Sequence, residues 1–315
     1  MHTPRHAHPG RQRGAALLTA MIIVTLVATL ASAMVWQQWR AVQIEASERS
    51  RAQAAWILSG ALDFAKLILF EQKAGVTALT DPWATPLEEA RISTFLAVDK
   101  SNPDDGPEAF LSGNIDDAQA LYNLGNLVTN GTVDPVQLQV LQRLCEAVGI
   151  ESSVAQRIAT GMVSASTTTS AAAPLMPSNV AQLTWFGIDP ASVQALTPYI
   201  ILIQQLGAIV ATPVNVNTAS AQVLTAVANL DPATAAHLVQ VRQSKPFVSV
   251  ADFLSQAALT ATPPPVTALD IHSNYFMVHG RLRLADHVLL ETSLLTRGQR
   301  GQFVVLTRER VASIE

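Results

Sequence analysis

A chain of 315 residues with 20 Lys and Arg against 24 Asp and Glu carries a net charge of −4. That balance leaves no basic footprint to replace the counterions of a nucleic acid. Its single cysteine, Cys145, rules out an internal disulfide. The stretch Ala15–Val35, AALLTAMIIVTLVATLASAMV, holds no charge, proline or glycine. At ~1.5 Å per residue it covers, as a helix, the roughly 30 Å hydrocarbon core of a bilayer. A lone apolar segment in lipid must bond its own backbone, so a helix is predicted. Arg5, Arg11 and Arg13 precede it, and Trp36, Trp39 and Arg40 follow. Basic flanks stay cytoplasmic and tryptophans settle at the interface, so the rest of the chain is expected on the far side. A cleavable secretory signal is the competing reading. Ala31-Ser32-Ala33 and Ala33-Met34-Val35 offer small-x-small sites, although signal cores are usually shorter.

From Trp36 to about Phe70 nothing breaks a helix before Gly60. Trp56, Ile57, Leu58, Ala61, Leu62, Ala65, Leu67, Ile68 and Leu69 form a broad apolar face that must pack on something. Ile44, Ser47, Arg51 and Ala54, at helical spacing, are expected to form an exposed face turned to a partner; a merely solvated face is the alternative. Gln72–Ser101 reads as loop, broken by Gly75, Pro82 and Pro86, with Trp83 anchored on the core. Glu108–Leu127 starts with strand-like alternation and is expected to turn tightly at Ser112-Gly113-Asn114. Asp116 and Asp117 could suggest acid–base chemistry. No histidine, serine nucleophile or further acid accompanies them, so turn capping is the reading taken.

Asp134-Pro135 predicts an N-cap and first turn. Leu138, Leu141, Leu144, Cys145 and Val148 then repeat at helical spacing, with the thiol buried and Gly149 as the stop. A second short helix holds Val154, Ile158 and Ala159. Ser164–Pro177, rich in small residues, is expected to be an exposed loop. Asn179–Leu206 carries helical periodicity as far as Ile200–Ile203. Val214–Phe253 reads as three helices, opened by Thr218 or Ala219, by Asp231-Pro232, and by Ser249 or Asp252. Ser273–Ile314 changes period to strands, with turns at Gly280, Asp286-His287 and Gly298–Gly301, and so predicts an antiparallel sheet. His272, His279 and His287 have no partner at metal-ligand spacing and read as solvated.

Several motifs carry a resemblance. Arg13-Gly14-Ala15-Ala16-Leu17-Leu18-Thr19 resembles the processing junction of type IV prepilins and type II secretion pseudopilins. The resemblance implies peptidase cleavage after Gly14 and methylation of Ala15. Thr19 stands where most of that family carry glutamate, and the K-type minor pseudopilin is the member that lacks it. Gly113, Ile115, Asp117, Gln119, Tyr122, Asn123, Leu124 and Leu127 match the K-type pattern "G-x-I-x-D-x-Q-x-x-(F/Y)-N-L-N-x-L", with Gly125 in place of asparagine. "N-V-N-T-A" from Asn215, then Arg242, Pro246, Phe247, Ser249, Asp252 and Phe253, looks like the helix–hairpin–helix of DNA-binding competence proteins and is equally a K-type feature. Asn229-Leu230-Asp231 lacks the phosphate-approaching glycine, and only Arg242 and Lys245 add positive charge nearby, so a structural module is preferred. K-type relatives often carry an acidic calcium loop; no carboxylate lies between Glu151 and Asp189, so no metal or other cofactor is expected.

The resemblance implies an α+β fold: a long N-terminal transmembrane and stalk helix packed on an antiparallel sheet, pilin-like, with an inserted, mostly helical domain. The expected organisation is 1–14 leader, 15–35 transmembrane helix, 36–125 stalk and first part of the core, 126–264 helical insertion, and 265–315 terminal strands. The implied role is a minor pseudopilin of the type II secretion system, at the pseudopilus tip, initiating assembly and supporting export of folded proteins across the outer membrane. It implies no enzyme activity, an inner-membrane anchor with a cytoplasmic N-terminus and periplasmic body, and no nucleic acid. Implied partners are the I- and J-type minor pseudopilins, the major pseudopilin and prepilin peptidase. The alternative reading is a membrane-tethered helix–hairpin–helix DNA-uptake protein.

Overall fold

The computed structural model describes residues 13–72, 75–92, 109–167, 173–257, 268–284 and 287–314. A single helix, α1, spans Arg13–Glu71, and the chain divides into two compact units at Ile57/Leu58. The described part of the first unit is entirely α1. Its apolar N-terminal stretch is long enough to cross a membrane and has none of its side chains buried.

The second unit is built on a five-stranded antiparallel sheet. Its order is β1 (Leu87–Arg91), β2 (Ala109–Asp117), β3 (Tyr275–Leu284), β4 (His287–Arg297) and β5 (Phe303–Ile314). Strand alternation gives the sheet two apolar faces at one end. Phe276, Val278, Leu295 and Phe303 meet Leu62, Ala65 and Leu69 of α1 and the anchor Trp83. Trp83 stands edge-on to Phe276 at 5.4 Å, and Phe276 to Phe303 at 5.7 Å, the geometry that aromatic quadrupoles favour. Leu294, Tyr275 and Met277 on the opposite face meet Ala118, Ile201 and Ile203. The sheet is thus covered by a helix on one side and by the segment following β2 on the other.

Two expected turns are absent. β2 runs unbroken through Ser112-Gly113-Asn114, and β3 runs unbroken through Gly280. The two glycines sit opposite each other in the β2–β3 register. A Cβ on Gly113 would collide with the backbone carbonyl of His279, and one on Gly280 would press on Leu58 of α1 at 3.2 Å. These glycines serve close approach, of strand to strand and of helix to sheet. Opposite Gly280 on β4 lies Glu291, buried and paired with Arg308 at 3.4 Å and Arg310 at 2.5 Å on β5. β1, in a stretch expected to be loop, is a short charged strand, LEEAR, at the sheet edge. Its lack of alternation hid it, and that polarity suits an edge.

Between β2 and β3 the chain forms a helical body. Its helices are α2 (Pro135–Ala147), α3 (Ser153–Thr167), α4 (Pro190–Leu196), α5 (Ala221–Ala228), α6 (Pro232–Ser244) and α7 (Val250–Gln256). Asp134, Asp189, Ser220, Asp231 and Ser249 cap α2, α4, α5, α6 and α7 by accepting first-turn N–H groups. One apolar core, from Tyr122 to Leu269, holds them. Cys145 lies inside it, and burial pushes its thiol pKa up to about 11.

Three helix limits differ from expectation. α3 continues through Ser164–Thr167, where a loop was expected, because Met162 and its neighbours give that helix a buried face. Residues 168–172 of that loop lie outside the described residues. Ile200–Ile203 is extended, with Ile200 and Ile201 paired in parallel to Tyr122 and Asn123; burial of all four isoleucine and leucine side chains mimicked a helix period. α5 opens at Ser220, since Thr218 is bonded elsewhere.

Gly113→Ala forces the β2–β3 pair apart and is expected to cost about 1–3 kcal/mol. For a domain of this size that is about 2–4 °C of melting temperature per kcal/mol. Circular dichroism of the detergent-solubilised chain measures it; an unchanged melting temperature would contradict the close-approach account.

Candidate assembly surfaces and the polar seam

The N-terminal candidates lie at the start of α1, which begins at Arg13, so Gly14 is already within the helix and Ala15 is exposed. Thr19 donates its hydroxyl to the Ala15 carbonyl at 2.8 Å. Thr25 and Thr29 bond back to Met21, Ile22 and Leu26 in the same way. These three threonine hydroxyls are therefore satisfied inside their own helix, as a lipid environment demands.

On the later part of α1, Ile44, Ser47 and Arg51 are exposed. Arg51 pairs with Glu48 at 3.0 Å and Arg49 with Glu45 at 2.7 Å, both along the helix surface and of small energetic weight. Ala54 is a correction to the expected face. It is only 7 % exposed and heads the buried helical positions continued by Leu58, Leu62, Ala65 and Leu69. The face narrows to Ile44, Ser47 and Arg51.

The strongest cluster of functional-type side chains is structural. Asp117, at the end of β2, caps the turn that follows by accepting from the Gln119 amide at 2.8 Å. That bears out the capping role, but the other carboxylate oxygen does more. It accepts from Ser273 Oγ and Thr218 Oγ1, both at 2.6 Å, and from Asn215 Nδ2 at 3.0 Å. Asn215 also donates to the Thr77 carbonyl and to Ser273 Oγ, and Ser273 N–H donates to Thr77 Oγ1. All of these residues are buried. Burial holds Asp117 above the usual carboxylate pKa; its four donors pull it back only in part. The two hydroxyls bonded to it are buried and no histidine or other base accompanies them in the cluster, so the arrangement joins segments.

The seam extends. Gln119 donates to the Pro213 carbonyl and accepts from Asn274 N–H. Asn123 donates to the Val210 carbonyl and Thr212 Oγ1, and Asn126 exchanges two bonds with Thr212. Asn217 holds both the N–H and the carbonyl of Phe247. The motifs around Asp117, Asn215 and Ser273, far apart in the chain, meet in one buried cluster. Sequence reasoning named Asp117 but missed Asn215, Thr218 and Ser273 as its partners. The available signal was "VNVNT", a polar island in an apolar stretch.

The remaining candidates fall into place around this seam. Arg242, counted as positive charge near the helical hairpin, is buried, and its guanidinium donates to the Val216 carbonyl at 2.6 Å; burial lowers its pKa to about 10. It is unavailable to a phosphate. His279 is not merely solvated: its Nδ1 meets Thr292 Oγ1 at 3.1 Å and its Nε2 meets Asp116 across the sheet at 3.2 Å. Among the described residues no group of three or more His, Cys, Asp or Glu could hold a metal ion.

Comparison with known proteins shows what the chain is similar to. A family model described as type II secretion system, protein K, matches residues 214–272, and another with the same description matches residues 120–205. The type II secretion system protein K of Pseudomonas aeruginosa is 23 % identical over 326 residues, covering 95 % of this chain and 92 % of that protein. Its Klebsiella pneumoniae counterpart is 28 % identical over 334 residues, covering 95 % and 96 %. The chain is thus similar to type II secretion system protein K over nearly its whole length. A chain in the crystal structure of the GspK-GspI-GspJ complex of enterotoxigenic Escherichia coli shares the fold, with a TM-score of 0.63 at 22 % identity over 85 % of this chain and 99 % of that one. Both family-matched stretches contribute to the seam: Asn123 and Asn126 lie in the first, Asn215, Asn217 and Thr218 in the second. The stretches that match the family models are thus where the helical body is bonded to itself and to the sheet.

Asp117→Ala removes the acceptor of four buried donors, the Gln119 amide and the Asn215, Thr218 and Ser273 side chains, at roughly 1–3 kcal/mol for each left unpaired. Ser273→Ala removes one donor and leaves Asp117 satisfied. Urea unfolding should therefore show the aspartate change to be much the more costly. The pH sign follows from the raised pKa in the folded state. The contribution of Asp117 is greatest below its ordinary value of 3.8 and declines as pH rises through the raised value. Equal costs for the two variants, or the opposite pH slope relative to Asp117→Asn, would contradict the seam.

Proposed function

We propose that this minor pseudopilin occupies the tip of the type II secretion pseudopilus, together with I- and J-type minor pseudopilins. There it initiates assembly of the major pseudopilin and supports export of folded proteins across the outer membrane. The observation that carries the reading is Thr19. A buried glutamate at this point of a pilin-like helix needs a neighbour's amine to offset its charge. Thr19 is satisfied by Ala15 of its own helix, so this subunit needs no subunit above it. The likeness to a chain solved in a GspK-GspI-GspJ complex supports the choice of partners.

Arg5, Arg11 and Arg13 ahead of the apolar stretch support a cytoplasmic N-terminus, and prepilin peptidase would cut after Gly14 to leave Ala15 as the methylated first residue. The helical body, residues 126–264, is read as an insertion between neighbouring strands β2 and β3, which the sheet order supports. The role is mechanical and involves no chemistry on a substrate. The DNA-uptake alternative loses ground because Arg242 is spent on a backbone carbonyl.

Two measurements test this. Intact mass of membrane-extracted protein is expected to give an N-terminus at Ala15, and Gly14→Val to leave the leader in place; an N-terminus near Met34 or Val35 would indicate an ordinary signal peptide. Arg51→Glu and Ile44→Glu are expected to abolish co-purification with the I- and J-type proteins with no loss of helix content. Normal secretion by both would remove that face from the interface. Ala54→Arg is no longer a clean probe, since it would bury a charge.

A further inference from the structure

A cavity of about 240 Å³ lies between α1 and the sheet. Leu58, Ala61, Leu62 and Ala65 of α1 border it on one side, Leu111, Ile115 and Val278 of the sheet on the other, and Trp83 and Pro86 form a wall. Gly113 and Gly280, opposite each other in the β2–β3 register, put no side chain into the space. Next to Gly280 on β4 stands Glu291, which also borders the cavity. A Cβ on Gly280 would point at Leu58 of α1, and side chains paired across antiparallel strands share a face. The Glu291 side chain is therefore on the cavity side. Ser112, Asn114 and His279 border the space too, but alternation turns their side chains to the opposite face. Glu291 is 4 % exposed. Its Oε2 is engaged by Arg310, whereas among the described residues its Oε1 has long contacts, 3.4 Å to both Arg308 Nε and Ser293 Oγ. An ionised carboxylate accepts about four hydrogen bonds, so Oε1 has room for one of good geometry.

We propose that this cavity binds a small aromatic molecule carrying one hydrogen-bond donor, of the phenol or indole class. The ring would lie between α1 and the two glycines, and its O–H or N–H would donate to Glu291 Oε1. The volume suits such a guest, since an apolar cavity of roughly 150 Å³ already takes up benzene. Apolar walls with one polar group at an end are the usual make-up of a small-molecule site. Trp83 and Phe64 border the cavity and offer ring contacts that an aliphatic chain could not use. Water is a poor occupant, because a buried water needs roughly two to four polar partners and the walls are mostly apolar. An anionic guest would meet the Glu291 carboxylate and be repelled. The inference does not depend on the assembly role proposed above, so either can fail without the other.

The test uses the full-length chain in detergent, with phenol, benzene and benzoate as probes. Phenol at about 10 mM is expected to raise the melting temperature by about 2–4 °C, and benzoate to leave it unchanged. Ala61→Phe fills the cavity from the side of α1 and should abolish the phenol shift. Probe dissolved in the micelle acts on both chains alike, so the difference between them reports the cavity. Glu291→Met removes the acceptor, and the half-exposed Arg308 and Arg310 can turn to water. In calorimetric titration that variant should bind phenol about tenfold more weakly and benzene as before, a selective loss that general damage to the fold would not produce. No phenol shift in the unmutated chain, an equal shift in Ala61→Phe, or an unchanged ratio of phenol to benzene affinity in Glu291→Met would each overturn the site. Should Glu291→Met fail to fold, the comparison of phenol, benzoate and Ala61→Phe decides the matter alone.

Discussion

A carboxylate removed from water must be surrounded by donors or it will not stay in a folded chain. Asp117 meets that demand with groups 98, 101 and 156 residues further along: Asn215, Thr218 and Ser273. Three segments are therefore fixed at one point: the end of β2, the strand-like stretch before α5, and the residue two before β3. Thr77, just beyond α1, joins through Asn215 and Ser273. The order of the sheet, with β2 beside β3 and the helical body leaving and returning between them, requires the chain ends of that body to lie close together. The Asp117 cluster is the physical device that holds them so.

A second constraint works on the other face. Apolar packing of Leu62, Ala65 and Leu69 on Phe276, Leu295 and Phe303 holds the C-terminal end of α1 to the sheet. Facing glycines at 113 and 280 let strands and helix come close at the level of Leu58. Helix, sheet and helical body share one compact unit from Leu58 onward, and the polar seam resists sliding in a way that a purely apolar contact does not.

The long helix, the caps at Asp134, Asp231 and Ser249, the buried Cys145 and the terminal strands could all be read from the chain, because each follows from local chemistry and period. The failures share a cause. Gly113 and Gly280 read as turns, since glycine signals a turn locally; that they face each other is set by a pairing across more than 160 residues. Ile200–Ile203 reads as helix from the sequence because four buried apolar residues in a row carry no usable period. β1 went unseen because an edge strand can be polar throughout. Spacing alone puts Ala54 on the exposed face, although the same spacing places it four residues before Leu58. The polar cluster was half legible: Asp117 stood out as an acid, but which residues would supply its donors is a property of the folded chain. Arg242 shows the reverse error, a charge counted as surface that the fold spends on the Val216 carbonyl.

Native-state hydrogen exchange on the detergent-solubilised chain tests the central claim most directly. If the Asp117 cluster unites sheet and helical body, the amides of Gln119, Asn217 and Ser273 should exchange only by global unfolding. They would then show the same opening free energy as the slowest amides of β3 and α5. Exchange of those three amides through a lower-energy opening, with the helical body released while β3 stays protected, would contradict the account.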